Sequence, residues 1–270
     1  LLAREALTDH LSVHERKNKI RQRLWKIRAQ KVIIASGSIE RPLIFNNNDR
    51  PGIILSSSIK KYIDYFGVKT GKNISLFTNN DSAYETAVSL NRSGVIVNVV
   101  IDIRESSDSN IVKEAQKLGI KILWGHTIVE TNGYKRIKSF EAMKLSSDGG
   151  NVVGNKIKFS SDCIGISGGW TPMVHLFTQS GGKLQFKSND NIFIPDETKT
   201  PSEQISVGSC NGDFELDDVV NNTIYNVKKF ISLDKSSYDK INVNCSKESS
   251  KKNIWLLPST KPLHKTKLFL

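Results

Sequence analysis

The sequence predicts an α/β fold in which a parallel sheet carries helices on its faces and an antiparallel β-meander follows. Three observations carry that expectation. Apolar strand-like runs alternate with segments of helical period as far as Trp124, the period changes to two beyond residue 126, and small residues follow buried strands at Ser36-Gly37 and at Gly208. Strand-helix alternation specifies parallel pairing, whereas period-two segments joined by turn residues specify antiparallel pairing.

In chain order, Leu24 to Arg28 and Lys31 to Ala35 read as strands, the second an apolar Val32-Ile33-Ile34-Ala35 run. Ile59, Tyr62, Ile63 and Phe66 recur at helical spacing over 56–66, with Gly67 as the stop. A βαβ unit follows: strand 73–77, helix 81–93 with Ala83, Ala87 and Leu90 inward, and strand 95–101. A helix over 110–118 closed by Gly119 leads to strand 120–124. Segments 127–131, 136–145 and 156–159 alternate and are separated by Asn132-Gly133 and by residues 146–150, which are turn formers. Cys163 to Ser167 and Ile205 to Val207 are short buried strands, and Asp213 to Phe230 is the last helix. The organisation expected is 1–70 as part of a first dinucleotide-binding domain, 71–170 as an inserted βαβ unit with meander, 171–233 as a return to the first domain, and 234–270 as a basic linker, most structureless over 234–253.

The 270 residues are 38% apolar and 24% charged, which is enough to bury a core and excludes disorder or collagen-like order. No run reaches the ~18 apolar residues of a membrane helix, and the Arg/Lys-rich start lacks the apolar segment of a signal peptide. A cytoplasmic location with no membrane partner is therefore expected. Cys163, Cys210 and Cys245 lie 47 and 35 positions apart, so no CxxC pair or zinc knuckle is available and no metal site is expected. The chain opens on Leu1 inside a charged, strand-like pattern, read here as an internal segment of a longer polypeptide.

The net charge of +12 is concentrated at the ends: residues 1–31 carry +6 and residues 228–270 carry +7, leaving the middle at −1. A nucleic-acid surface is normally presented by the folded body, so nucleic acid is not an expected partner.

Four segments carry candidate chemistry. Ala35-Ser36-Gly37 ends a buried strand with side chains small enough for a dinucleotide to pass close to the backbone, although a plain strand-to-loop turn reads the same. Gly208-Ser209-Cys210-Asn211-Gly212 lies between a strand and a helix and offers main-chain N–H groups to an anion; Cys210, without a neighbouring His, reads as a buried filler. By contrast Thr78-Asn79-Asn80-Asp81-Ser82 stands where a GxGxxG turn belongs and has no glycine, so this βαβ unit is read as retained for structure with its nucleotide site lost. Asp102 sits where a ribose-binding acid would stand, about 20 residues on. Finally, Gly168-Gly169-Trp170-Thr171-Pro172 points to close chain approach, and His175 beyond it reads as a hydrogen-bonded core residue rather than a base. Together the strand with Ala-Ser-Gly, the βαβ unit and the meander have the layout of an incomplete two-dinucleotide-binding-domain flavoprotein-like fold.

At these residues the sequence resembles a known family. Residues 23–29, Ala35 to Pro42, Asn48-Asp49-Arg50-Pro51-Gly52, Phe77 to Tyr84, Ser167 to Pro172, and Gln179 to Leu184 with His175-Leu176-Phe177 are similar to the alpha subunit of heterotetrameric sarcosine oxidase, from about Arg21 to Gly212. Even the missing glycines at 78–82 match that pattern. The resemblance implies a complex of alpha, beta, gamma and delta subunits that demethylates sarcosine oxidatively to glycine, passes the one-carbon unit to tetrahydrofolate and forms hydrogen peroxide. It implies FAD and FMN in the complex and NAD in the alpha subunit. By position, Ala35, Ser36 and Gly37 with Gly208, Ser209, Cys210, Asn211 and Gly212 would flank that dinucleotide. No catalytic residue falls on this chain, and the isolated segment is expected to be inactive. The alternatives are the alpha subunit of a related amine or opine dehydrogenase and a non-catalytic scaffold for flavin-bearing subunits.

Overall fold

A computed structural model describes residues 1–201, 203–232, 240–243 and 252–268. Of the linker expected at 234–253, residues 234–239 and 244–251, Cys245 among them, lie outside the described residues.

β1 (Leu2–Ala6) and β2 (Gln22–Lys26) pair antiparallel, Leu2 opposite Lys26, and are almost wholly exposed. β3 (Val32–Ile34) and β4 (Ser38–Glu40) follow, then β5 (Ile53–Leu55), α1 (Ser56–Asp64), β6 (Ile74–Thr78), α2 (Ser82–Arg92), β7 (Val97–Asp102), α3 (Asn110–Lys117) and β8 (Ile122–Trp124). The meander is β9 (His126–Asn132), β10 (Ser139–Leu145) and β11 (Val152–Ser160). After it come β12 (Cys163–Ser167), β13 (Trp170–Pro172), α4 (His175–Gln179), the hairpin β14 (Leu184–Lys187) and β15 (Ile192–Pro195), β16 (Gln204–Ser206) and α5 (Leu216–Phe230).

The main sheet has the order β5-β12-β6-β7-β8 and every pairing in it is parallel. All five residues of β6 and of β12 are buried, as a parallel strand covered on both faces requires. Alternation divides them between two cores. Phe77, Ile101 and Ile164 face the meander residues Phe140 and Phe159. Leu76, Val100 and Ile74 face Ile59, Tyr84, Ala87, Leu90 and Val112 of the helices. Phe45 closes the first core edge-to-face on Phe77, the ring centroids 5.3 Å apart.

α1 forms where its spacing predicts, and Glu40 Oε2 accepts the Ser57 amide at 2.8 Å, satisfying one of the donors that a helix start leaves open. Its inward stripe is narrower than expected: Ile59 is buried and Ile63 partly so, whereas Tyr62 and Phe66 face outward. The helix is short and only its first turns lie over β12, so apolar spacing over-counts its covered face. The pair β4–β13 is an addition that three-residue strands do not announce in sequence, whereas β3 and β16 form within or close to the segments read as strands.

Residues 252–257, expected as linker, instead lie across the carboxyl edge of the main sheet. Lys252 N donates to Asn79 O, Trp255 Nε1 donates to Gly168 O at 2.6 Å, and Leu256 bridges Ile44 in parallel. Trp255 and Ile254 pack on the meander-side core, so apolar side chains fix this segment in place.

Candidate functional site

β16 lies parallel beside β3, with Gln204 opposite Val32, Ile205 opposite Ile33 and Ser206 opposite Ile34. The ladder continues through Val207 N, which donates to Ile34 O at 2.9 Å. Both strands then end at the same level. Beyond β3 come Ala35, Ser36 and Gly37; beyond β16 comes a 3₁₀ turn over Gly208–Asn211, closed by Gly212. Ser209 Oγ lies 3.9 Å from the position of a Cβ added at Gly37. The two predicted segments thus meet at one rim.

Gly37 has φ +75° and Gly208 φ +72°, a backbone that residues with a Cβ adopt only under strain. Cys210 is buried, and its Sγ reaches Ile34 O at 3.3 Å and Val207 O at 3.2 Å, which makes it the filler expected between the two strand ends. Ser36 turns away from the rim: its Oγ donates to Met173 O at 2.5 Å, and Met173 N donates back to Gly37 O at 2.9 Å. His175 is exposed at the start of α4, not in the core as expected, because α4 turns only Phe177 inward.

A cleft of about 740 Å³ opens from this rim toward α2, lined by Ser38, Glu40, Ser82, Trp170, Ser209 and Phe214 among others. Trp170 Nε1 donates to Ser82 Oγ at 2.9 Å, so one wall is tied to the other. Burial pushes the Glu40 carboxyl upward against the opposing bonds from Ser167 and Ser57. Paired small residues at the ends of adjacent parallel strands suit a pyrophosphate, and the carboxylates Glu40, Glu85 and Glu215 along the cleft suit ribose hydroxyls. The residues present therefore fit a dinucleotide.

The second place where a nucleotide would bind is closed. The strand order reverses between β6 and β12, and the crevice at their carboxyl ends is where α/β sheets take ligands. Here Asn80 Nδ2 donates to Asn79 Oδ1 at 2.8 Å and Ser167 O at 3.1 Å, and Asn80 Oδ1 accepts Ser82 N at 2.9 Å. Asn79 Nδ2 binds Lys252 O at 3.1 Å. Asp102, in the ribose position, is fully buried and accepts Arg104 Nη2 at 2.7 Å and Tyr84 Oη at 2.8 Å. Arg104 also reaches Asp81 at 2.8 Å. Burial lowers the affinity of Arg104 for its proton, but the two carboxylates outweigh that and raise it; burial and then the Asp102 charge push the Tyr84 hydroxyl far above its usual value. An internal cation occupies what an acid would otherwise offer to a ribose. Sequence reading missed Arg104, although an Arg two positions past a strand-end Asp is the signal that could have found it. Among the described residues no cluster of three His, Cys, Asp or Glu could hold a metal, and no helix is long and apolar enough to cross a membrane.

No family profile matches the chain. It is 34% identical over 217 residues to "Sarcosine oxidase subunit alpha" of Corynebacterium sp. strain P-1, covering 80% of this chain and 22% of the relative. The same-named protein of strain U-96 is 35% identical over 195 residues, 72% of this chain and 20% of the relative. That of Rhizobium meliloti is 31% identical over 173 residues, 64% and 16%. The chain therefore spans about a fifth of the length of these curated relatives. Among solved structures, T. acidophilum thioredoxin reductase superposes with TM-score 0.55 at 16% identity, covering 76% of this chain and 65% of that one. Lactococcus lactis thioredoxin reductase gives 0.55 at 18%, covering 79% and 69%. These identities speak for the fold alone. The fold is the flavoprotein-like α/β arrangement expected, a parallel sheet with helices beside an antiparallel meander.

Proposed function

We propose, for a chain that is sarcosine oxidase alpha-like over 80% of its length, that it forms the dinucleotide-holding part of an oxidoreductase subunit. The observation that carries this reading is the ladder from Ile34 to Val207, beyond which Gly37 lies against Ser209 of the turn that Gly208 opens. Gly37 and Gly208 leave the pyrophosphate unobstructed, Cys210 fixes the distance between the strand ends, Asn211 and Gly212 end the turn, and Ala35 and Ser209 are the small flanking residues. Ser36 acts through Met173, holding the loop toward α4 in place. Bound NAD would supply a nicotinamide able to accept or return hydride. With the second crevice closed, the reading assigns one dinucleotide position among the described residues.

The complete reaction proposed is the one that the resemblance implies: sarcosine loses its N-methyl carbon to tetrahydrofolate as a methylene group, two electrons and two protons pass to dioxygen as hydrogen peroxide, and glycine is released. FAD, FMN and the beta, gamma and delta subunits would serve that reaction outside this chain, in the cytoplasm. In this reading the carboxylates Glu40, Glu85 and Glu215 of the cleft bind and position rather than react, Glu40 being already engaged by the Ser57 amide.

The test is cofactor analysis of the full-length subunit carrying Gly208→Val, purified with its complex. The reading expects NAD content to fall at least tenfold, with flavin content retained. Unchanged NAD would refute the site. A flavin bound by the alpha-like subunit alone would instead favour the amine dehydrogenase relatives.

A further inference from the structure

We propose that the carboxyl-terminal end of α1 with the turn after it is a docking surface for another protein subunit, one that presents an apolar pocket rimmed by carboxylates. This rests on the reading of the chain as part of a subunit. The surface lies at the amino-terminal edge of the parallel sheet, opposite the dinucleotide rim, because α1 runs back antiparallel to the strands.

Within seven residues four large apolar side chains face outward: Tyr62 is 45% exposed, Tyr65 77%, Phe66 56% and Val68 49%. They are not scattered. Phe66 touches both tyrosines, with ring centroids 4.8 Å from Tyr65 and 6.0 Å from Tyr62. A cluster of touching aromatic rings is the composition of an interface centre, where tyrosine and phenylalanine add area at small entropic cost.

Charge identifies the occupant. Lys60 is neutralised by Asp64 at 3.1 Å. Lys61, Lys69 and Lys72 are exposed and have no ion-pair partner among the described residues. An apolar centre with an unpaired cationic rim is complementary to an apolar centre with an anionic rim. A second copy of this chain would bring lysines against lysines about a two-fold axis.

The experiment measures the Kd between the full-length alpha-like subunit and the remaining subunits of its complex, for wild type, Phe66→Ser, Tyr65→Ser and the triple variant Lys61→Glu/Lys69→Glu/Lys72→Glu. Thermal melting of each free subunit serves as the folding control. The proposal expects about tenfold or greater weakening for each aromatic variant. It expects similar weakening for the triple variant, with loss of the wild-type salt dependence, and melting temperatures unchanged throughout. Wild-type affinity in all variants would overturn it. So would wild-type self-association abolished by Phe66→Ser, or binding of oligonucleotides or anionic vesicles abolished by it. If the wild-type subunit associates with no other subunit, the subunit reading fails and this proposal with it; association that ignores the patch sinks the proposal alone.

Discussion

The indole N–H of Trp170 donates to Ser82 Oγ at 2.9 Å, joining the strand that leaves the Gly168-Gly169 pair to the first turn of α2. This is a direct side-chain bond across the cleft, between β13 and the βαβ unit. Trp170→Phe or Ser82→Ala should each lower stability by roughly 0.5–1.5 kcal/mol, and the double variant should cost less than the sum. Urea unfolding reads all three, and strict additivity would mean that the bond carries nothing.

Arg104 is held between Asp81 and Asp102, with all three side chains nearly devoid of solvent contact. Replacing it by Met keeps much of the volume and strands two buried carboxylates, a change expected to cost about 3–5 kcal/mol. The expected outcome is a large fall in the denaturation midpoint, or loss of soluble protein. A variant as stable as the parent would show that the carboxylates find other donors.

Tyr84 donates to Asp102 from inside the helix-side core, and its hydroxyl holds its proton far above the ordinary tyrosine value. In the unfolded chain the phenol ionises near pH ~10. The folded state therefore binds the proton that the unfolded state releases, so this contribution is complete below pH ~10 and is lost as pH rises beyond it. Alkaline titration followed by circular dichroism should show unfolding that steepens above pH ~10, and Tyr84→Phe should flatten that slope while lowering stability at neutral pH.

At Gly208, φ is +72° and a Cβ would sit 3.7 Å from Val219 Cγ1, so space is adequate but the backbone is not. Gly208→Ala should cost about 1–2 kcal/mol from the left-handed conformation alone. Comparing its thermal melt with that of Gly94→Ala, an open glycine at φ +71°, separates strain from any loss of bound nucleotide. Equal losses in the presence of NAD would indicate that Gly208 has no part in binding.

Long elements were readable because their periods were. The helix around Ala83, Ala87 and Leu90 buries the residues that the spacing assigns, a helix forms where 110–118 predicts one, and β12 spans the residues expected. The meeting of Ser36-Gly37 with Gly208-Ser209 was also legible, although only by position in the resemblance, because small residues after a strand read equally as a plain turn. What stayed hidden was non-local. The β4 strand forms only because Trp170-Thr171-Pro172 arrives 130 residues later, and Arg104 declares its role only once Asp81 and Asp102 have converged on it. Residues 252–257 read as linker because the Lys-, Ser- and Asn-rich sequence before them has no period, although the apolar Ile254-Trp255-Leu256-Leu257 run was a signal for packing.

The position of β12 between β5 and β6 sets a timetable for the nascent chain. β5 and β6 are separated by fewer than twenty residues, yet β5 lacks its partner and β6 is paired only on its β7 side until Cys163 to Ser167 has left the ribosome. β5 and α1 must wait, α1 lacking the β12 surface it will cover, for one five-residue strand to be threaded between two older ones. Such late closure makes folding slow and leaves apolar edges open to wrong partners in the interval, so chaperone demand should rise with any substitution that delays the arrival of that strand.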